Sequence, residues 1–385
     1  MGNKTYIASD NLITSLGFST EENICSIGQG KSGVEVCTIP ELQHLMPLCS
    51  SSVDKTRLAK EFSEIGDTKE YTTLEQLFIL SIAKALASTS VDTTSEHTLF
   101  IISTTKGNID LLVNNPFEPD RIHLWKLAEI ITSHFKNPNQ AVIVSNACIS
   151  GALAVMLAKQ MLCIGKYDTV IVSGGDLITE FVVSGFVSFK AISPNPCKPF
   201  DESRDGLSLG EGCGTIVLTS DASIAKESYG ELIEVAGGAT SNDANHISGP
   251  SRTGEELGIA IKKSIKQAGI SPEQIHYISA HGTATSFNDE MEAKAFTLCE
   301  LQNTPVNSLK GYFGHTLGAA GAIELVVSLQ SMKRNTLFLS PGYESCGTTD
   351  PLNIITQTQL ATIDNVLKTA SGFGGCNVAI TLSKK

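Results

Sequence analysis

Short apolar runs rich in β-branched residues alternate along the chain with longer segments whose apolar positions recur every three or four residues. The runs Leu99–Ser103, Ala141–Ser145, Thr169–Ser173, Gly214–Thr219, Ile275–Ala280 and Asn377–Leu382 read as strands. The segments Thr73–Ala87, Ile149–Ile164, Gly254–Ala268, Asp289–Cys299 and Ala319–Met332 carry helical spacing. That alternation predicts an α/β fold. A polar, turn-like stretch at Ser220–Gly230 places the expected division between two units, residues 1–225 and 226–385. Each unit holds a strand leading to a reactive residue and then a helix, as structural repeats would, although no residue-level repeat links them.

Composition narrows the class. Hydrophobic residues are 41% and charged residues 18% of the 385, enough apolar material for a sizeable core and too little charge for disorder. The net charge of −12 argues against general nucleic-acid binding, which requires cationic surface. A local basic patch for an acidic partner is still possible, and Lys262, Lys263 and Lys266 on one predicted helix are candidates, with a solvated helix face as the plainer alternative. Residues Asn137 to Ala158 are uncharged, but Ser145-Asn146-Ala147-Cys148 at their middle suits a buried strand, turn and helix, not a membrane span. The first residues lack the apolar core of a signal peptide. Ten cysteines occur without one Cys-x-x-Cys, so reduced thiols in the cytoplasm are expected, with no metal site.

Four segments carry chemistry. In the first, Val144 to Ala154, a strand runs into Cys148 and a small-residue helix follows. A thiol there faces unpaired N–H groups and the positive end of the helix dipole, which favour the thiolate and lower its pKa. The same N–H groups suit an oxyanion; a buried structural cysteine is the alternative. In the second, His281-Gly282-Thr283-Ala284-Thr285 ends a strand and turns into a helix near Asp289, at the strand end where α/β folds bind ligands. The third, Lys310 to Gly321, sets His315 between glycines before an Ala/Gly-rich helix; it lacks the arrangement of a phosphate-binding loop. The fourth, Ser371 to Asn377, is a Gly-rich turn before a strand, either a plain corner or a way to bring a backbone N–H to a site.

Together these segments resemble the β-ketoacyl synthase family, decarboxylating condensing enzymes with the thiolase-like fold. Cys148 sits in what resembles the nucleophile motif, and His281–Thr285 is similar to His-Gly-Thr-Gly-Thr. Lys310–Gly321 resembles Lys-x-x-x-Gly-His-x-x-Gly-Ala-Ala-Gly, and Gly372–Asn377 resembles Gly-Phe-Gly-Gly-x-Asn. Lys198–Asp201 with Arg204–Gly206 and Gly210–Gly212, Asp243–His246 with Pro250, and Asn11–Gly33 extend the match over nearly the whole chain, in the family's order.

The resemblance implies two similar βαβαβ-type halves in layered helices and mixed sheets. It implies that Cys148 accepts an acyl group from a carrier thioester, and that a malonyl thioester then decarboxylates and attacks it. His281 and His315 would hydrogen-bond the enolate oxygen as neutral imidazoles, while the Cys148 and Phe373 N–H groups form the oxyanion hole and Phe373 gates the pocket. Lys310 would set the electrostatics of the histidines, paired with one or more of Asp289, Glu292 and Glu324. No metal or organic cofactor is implied; the implied partners are acyl carrier protein and a second subunit, identical or related. Ala284 stands where the family has Gly, Ile149 follows the nucleophile where smaller residues are common, and the stretch from Lys106 to Asn137 is short. The competing readings are a coenzyme A thiolase, with Cys376 as its second cysteine, and a non-catalytic subunit that shapes a partner's pocket.

Overall fold

The protein is described from a computed structural model covering residues 3–42, 45, 47–245 and 249–385. His246, part of one matched loop, lies outside the described residues. Ten strands form one sheet: β1 (Tyr6–Ile13), β2 (Thr98–Ser103), β3 (Val142–Val144), β4 (Thr169–Asp176), β5 (Gly212–Thr219), β6 (Ile233–Asn242), β7 (Tyr277–Ser279), β8 (Val306–Asn307), β9 (Asn365–Gly372) and β10 (Cys376–Lys384). Their spatial order is β8-β7-β9-β10-β6-β1-β5-β4-β2-β3. The first five strands and the last five therefore repeat one pattern, in which the third, second and fourth strands run parallel, the fifth antiparallel, and the first lies beside the fifth. The halves meet through a single strand pair, Tyr6 opposite Glu234.

Burial on both faces explains why these strands read as continuous apolar runs. Leu99 and Ile101 point into one core, with Val170 and Val172. Phe100 and Ile102 point into another, with Ile171 and Val217. Among the helices are α1 (Thr73–Leu86), α2 (Leu124–His134), α3 (Ser150–Cys163), α4 (Glu180–Ser188), α5 (Glu255–Ala268), α6 (Ser286–Leu298) and α7 (Ala320–Arg334). Helices α3 and α7 pack on each other and on strands of both halves, forming a central layer, while α1 covers the first half-sheet and α5 the second. The result is a mixed α/β structure of alternating helix and sheet layers. Helix α6 starts three residues before the expected Asp289.

The repeat positions the chemistry. Helix α3 follows β3 in the first half as α7 follows β8 in the second. Cys148 and His315 thus occupy corresponding places, each on the approach to a central helix. Small residues let those helices approach: a Cβ on Gly151 would lie 2.6 Å from Ala322 N and 3.0 Å from Gly318 O.

Candidate active site

Cys148 sits on a tight elbow. Strand β3 ends at Val144, Ala147 takes a left-handed conformation with φ 45°, and α3 begins at Ser150. A non-glycine residue there costs roughly 1–2 kcal/mol. Ser150 braces the turn, its hydroxyl accepting from Asn146 N at 2.8 Å and donating to Ala147 O at 2.7 Å. Cys148 is only 7% exposed. Burial pushes the thiol up to about 12, against the pull of Lys310 and of the Phe373 N–H directed at the sulfur. The expectation of a lowered thiol pKa is therefore overturned for the free protein, because loss of water around a thiolate outweighs the favourable dipoles and charge.

His281 follows β7. Glu292 on α6 accepts the His281 N–H at 2.8 Å and the Gly282 N–H at 2.6 Å, which fixes the turn. His315 is anchored by its backbone N–H to Ser208 O at 2.7 Å, and its Nδ1 accepts from Leu317 N at 3.1 Å. With Nδ1 so engaged, a neutral His315 carries its proton on Nε2. Lys310 Nζ lies 3.3 Å from His281 Nδ1 and 2.6 Å from His281 O. An ammonium there selects the same tautomer for His281. The two rings are 5.3 Å apart and nearly perpendicular. One ring nitrogen of each and the Cys148 Sγ all lie within 4.8 Å of one another. Burial, then Lys310, pushes both imidazoles well below the ordinary histidine range, so both are neutral at pH 7.

The three carboxylates expected to pair with Lys310 take different places. Glu324 on α7 holds Lys310 Nζ at 2.7 Å. Asp289 accepts from Phe200 N at 2.7 Å and Thr283 N at 2.9 Å, and Glu292 braces the His281 turn. Those two bind backbone N–H groups of the surrounding loops instead of the lysine. Two charged residues escaped the sequence reading. Lys368, in the middle of β9, contacts Glu324 Oε2 at 2.6 Å. Asp176, at the end of β4, accepts from Thr104 Oγ1 at 2.6 Å and from Gly318 N at 2.7 Å, tying the His315 loop to β4. Lys368 lies four residues before the Gly372 turn and Asp176 directly after Gly174 and Gly175, but both stand in largely apolar strands outside the four segments that marked the chemistry.

Phe373 sits in the turn between β9 and β10. Its ring packs on Phe189 at 5.1 Å and Phe186 at 5.7 Å, and Phe186 also abuts His315. A cleft of about 470 Å³ runs past Phe373, Thr283 and the exposed Phe287 to Cys148 and both histidines. It is large enough for an extended thioester arm. Lys190 lines this cleft, whereas Lys262 and Lys266 line a separate hollow with Leu298 and Cys299.

Residues 114–223 match the family model described as the beta-ketoacyl synthase N-terminal domain, and residues 232–344 match the model of its C-terminal domain. The two together cover more than half of the chain. The chain belongs to the β-ketoacyl synthase family, condensing enzymes of the acyltransferase type. It is 28% identical to a putative mitochondrial 3-oxoacyl-[acyl-carrier-protein] synthase of Schizosaccharomyces pombe, over 97% of both chains. It is 34% identical to 3-oxoacyl-[acyl-carrier-protein] synthase 2 of Staphylococcus aureus, an alignment spanning 65% of this chain and 62% of that protein. Its fold superimposes on the ketosynthase ApeO in complex with its chain length factor ApeC from Xenorhabdus doucetiae, with a TM-score of 0.86 and 24% identity over 100% of this chain and 98% of that one. The fold of this β-ketoacyl synthase is thus thiolase-like, as the sequence motifs implied. Among the described residues, no helix is long and apolar enough to cross a membrane.

Proposed function

We propose that the protein is a carrier-protein-dependent 3-oxoacyl synthase acting in fatty-acid or polyketide-like biosynthesis. The observation that carries the proposal is the convergence of the Cys148 thiol and two buried, neutral imidazoles at the foot of one cleft. In the first step the Cys148 sulfur attacks an acyl-carrier thioester; its proton passes to the departing carrier thiol, and an acyl-cysteine remains. In the second, a malonyl-carrier thioester loses carbon dioxide, and the electron pair of that bond forms an enolate. The Nε2–H donors of His281 and His315 stabilise the enolate oxygen. The enolate carbon attacks the acyl-cysteine carbonyl, whose oxyanion rests on the Cys148 and Phe373 N–H groups. Collapse expels the Cys148 sulfur, which takes up a proton from water, and leaves a 3-oxoacyl-carrier two carbons longer.

Lys310, held by Glu324, fixes His281, while Asp289 and Glu292 brace the loops around it. Phe373, packed against Phe186 and Phe189 of the α4 region, acts as the gate. The working partners are acyl carrier protein and a second subunit, identical to this chain or related to it; the ApeO neighbour is in complex with a chain length factor. Cytoplasmic residence and the division at residue 225 belong to the same proposal. A pocket-shaping role alone would leave the assembled Cys-His-His group idle.

Intact-mass spectrometry with a panel of acyl carriers and malonyl-carrier tests this reading. An adduct that disappears in Cys148→Ala, followed by a product two carbons longer, is expected. His281→Ala should still acylate but fail to elongate. No adduct with any acyl carrier on folded protein would move the protein to the pocket-shaping role.

A further inference from the structure

The buried charge behind the histidines exceeds what holding Lys310 requires. Lys368 is fully buried on β9, and among the described residues its Nζ meets only acceptors: Glu324 Oε2 at 2.6 Å, Thr369 O at 2.7 Å, and Ser279 O and Ala280 O at 3.3 Å each. Burial lowers the Lys368 pKa from the ordinary lysine value while Glu324 pulls it back up, and an uncharged amine would have a lone pair that none of these oxygens can serve, so the contacts favour the ammonium. Glu324 consequently carries two lysines, Lys310 on Oε1 and Lys368 on Oε2. One carboxylate and two ammonium groups leave a net positive charge in a dry interior. For stability alone, apolar side chains of similar volume usually serve as well as buried ion pairs.

We propose that Lys368 is a second positioning lysine, which locks Glu324 and Lys310 in place and supplies a fixed positive charge that keeps His281 and His315 neutral. The other charges around the rings do not cancel it. From α6, Glu292 is occupied by four donors: the His281 and Gly282 N–H groups, Asn288 and Thr369. Asp289 is taken up by Phe200 and Thr283 N–H groups, and Asp176 from β4 by Thr104, Thr105 and Gly318. On the elbow before α3, Cys148 is protonated at neutral pH. On the open side the exposed Asp205 and Lys190 line the cleft, where water screens them, and the buried Asp243 at its wall accepts from Asn245 N at 2.7 Å. Lys368 acts through space on both rings, and in the same direction as Lys310. Only the consequence for turnover rests on the condensing reading; the electrostatic claim stands without it.

The test uses full-length protein with ¹³C-labelled histidine, its ring signals assigned with His281→Gln and His315→Gln. Lys368→Met removes the charge, and Lys368→Gln removes it while keeping donors for the carbonyls. In either variant, protonation of both rings should begin at least about half a pH unit higher than in the parent. The acidic limb of the condensation rate should move up with it. Folded variants whose rings titrate as in the parent overturn the proposal, and so does failure of both variants to fold, which would make Lys368 part of the frame alone. Ring shifts in a protein whose parent never condenses would support the electrostatic role and remove the condensing one.

Discussion

At Cys148 two opposing effects meet, and their sizes decide the state of the nucleophile. The helix N-terminus, the Phe373 N–H and Lys310 favour a thiolate, but each is worth at most a few kcal/mol in this setting. Desolvation of a buried anion is larger and holds the thiol at about 12. Alkylation of Cys148 by iodoacetamide should therefore climb with pH through 9 without levelling, whereas a thiolate favoured at neutral pH would plateau below 8. Per-residue mass spectrometry separates it from the exposed Cys25 and Cys346. Lys310→Met should slow the reaction further, since Lys310 is the largest influence opposing burial. The place of Cys148 was legible because small residues mark the turn into α3. Its protonation state was not, because it depends on burial that only the fold creates, by bringing segments such as Gly372 and Phe373 beside it. Lys368 was hidden for the same reason, since its meaning comes from a carboxylate on another element.

The elements put Cys148 and His315 at matching ends of α3 and α7, and the closeness of those helices sets the geometry between them. A methyl on Gly151 would meet the backbone of Ala322 and Gly318, atoms that cannot swing aside. Gly151→Ala should destabilise the protein by about 1–3 kcal/mol through overpacking. The same substitution at Gly185, inside α4 with nothing within 4 Å, should stabilise it by roughly 0.5–1 kcal/mol through reduced chain entropy. Urea midpoints compare the two directly, and equal effects would refute the packing argument. The Ala/Gly-rich character of both helices was legible from the start, as were most strands as apolar runs. Residue spacing could not separate Glu324, which takes the lysines, from Asp289 and Glu292, which take backbone N–H groups. Lys262 and Lys266 likewise shared a helix face in the sequence, yet that face lines a hollow apart from the cleft.

For the whole molecule, holding two imidazoles neutral has a consequence for stability. Below the ordinary histidine pKa of about 6.5, the unfolded chain takes up protons at His281 and His315 that the folded chain refuses. The unfolded state then binds more protons, so stability falls as pH falls. Between pH 7.5 and 5.5 this amounts to about 1.4 kcal/mol for each histidine. Asp10, Asp176, Asp289 and Glu292 act the other way, because burial raises each above the ordinary carboxylate range and the folded state protonates them first. Glu324, for which burial alone would raise the pKa, is held down by Lys310 and Lys368 and adds acid sensitivity only at lower pH. The parent's profile is thus a difference of opposing contributions, and a double variant isolates one of them. In His281→Asn/His315→Asn, the loss of unfolding free energy between pH 7.5 and 5.5 should be smaller than in the parent by about 2.7 kcal/mol, the sum for two independent sites. Parallel profiles would mean that the folded protein already protonates both rings in that range. A protonated imidazole would bring its own charge to the enolate, and the assignment of His281 and His315 as neutral Nε2–H donors would then fall.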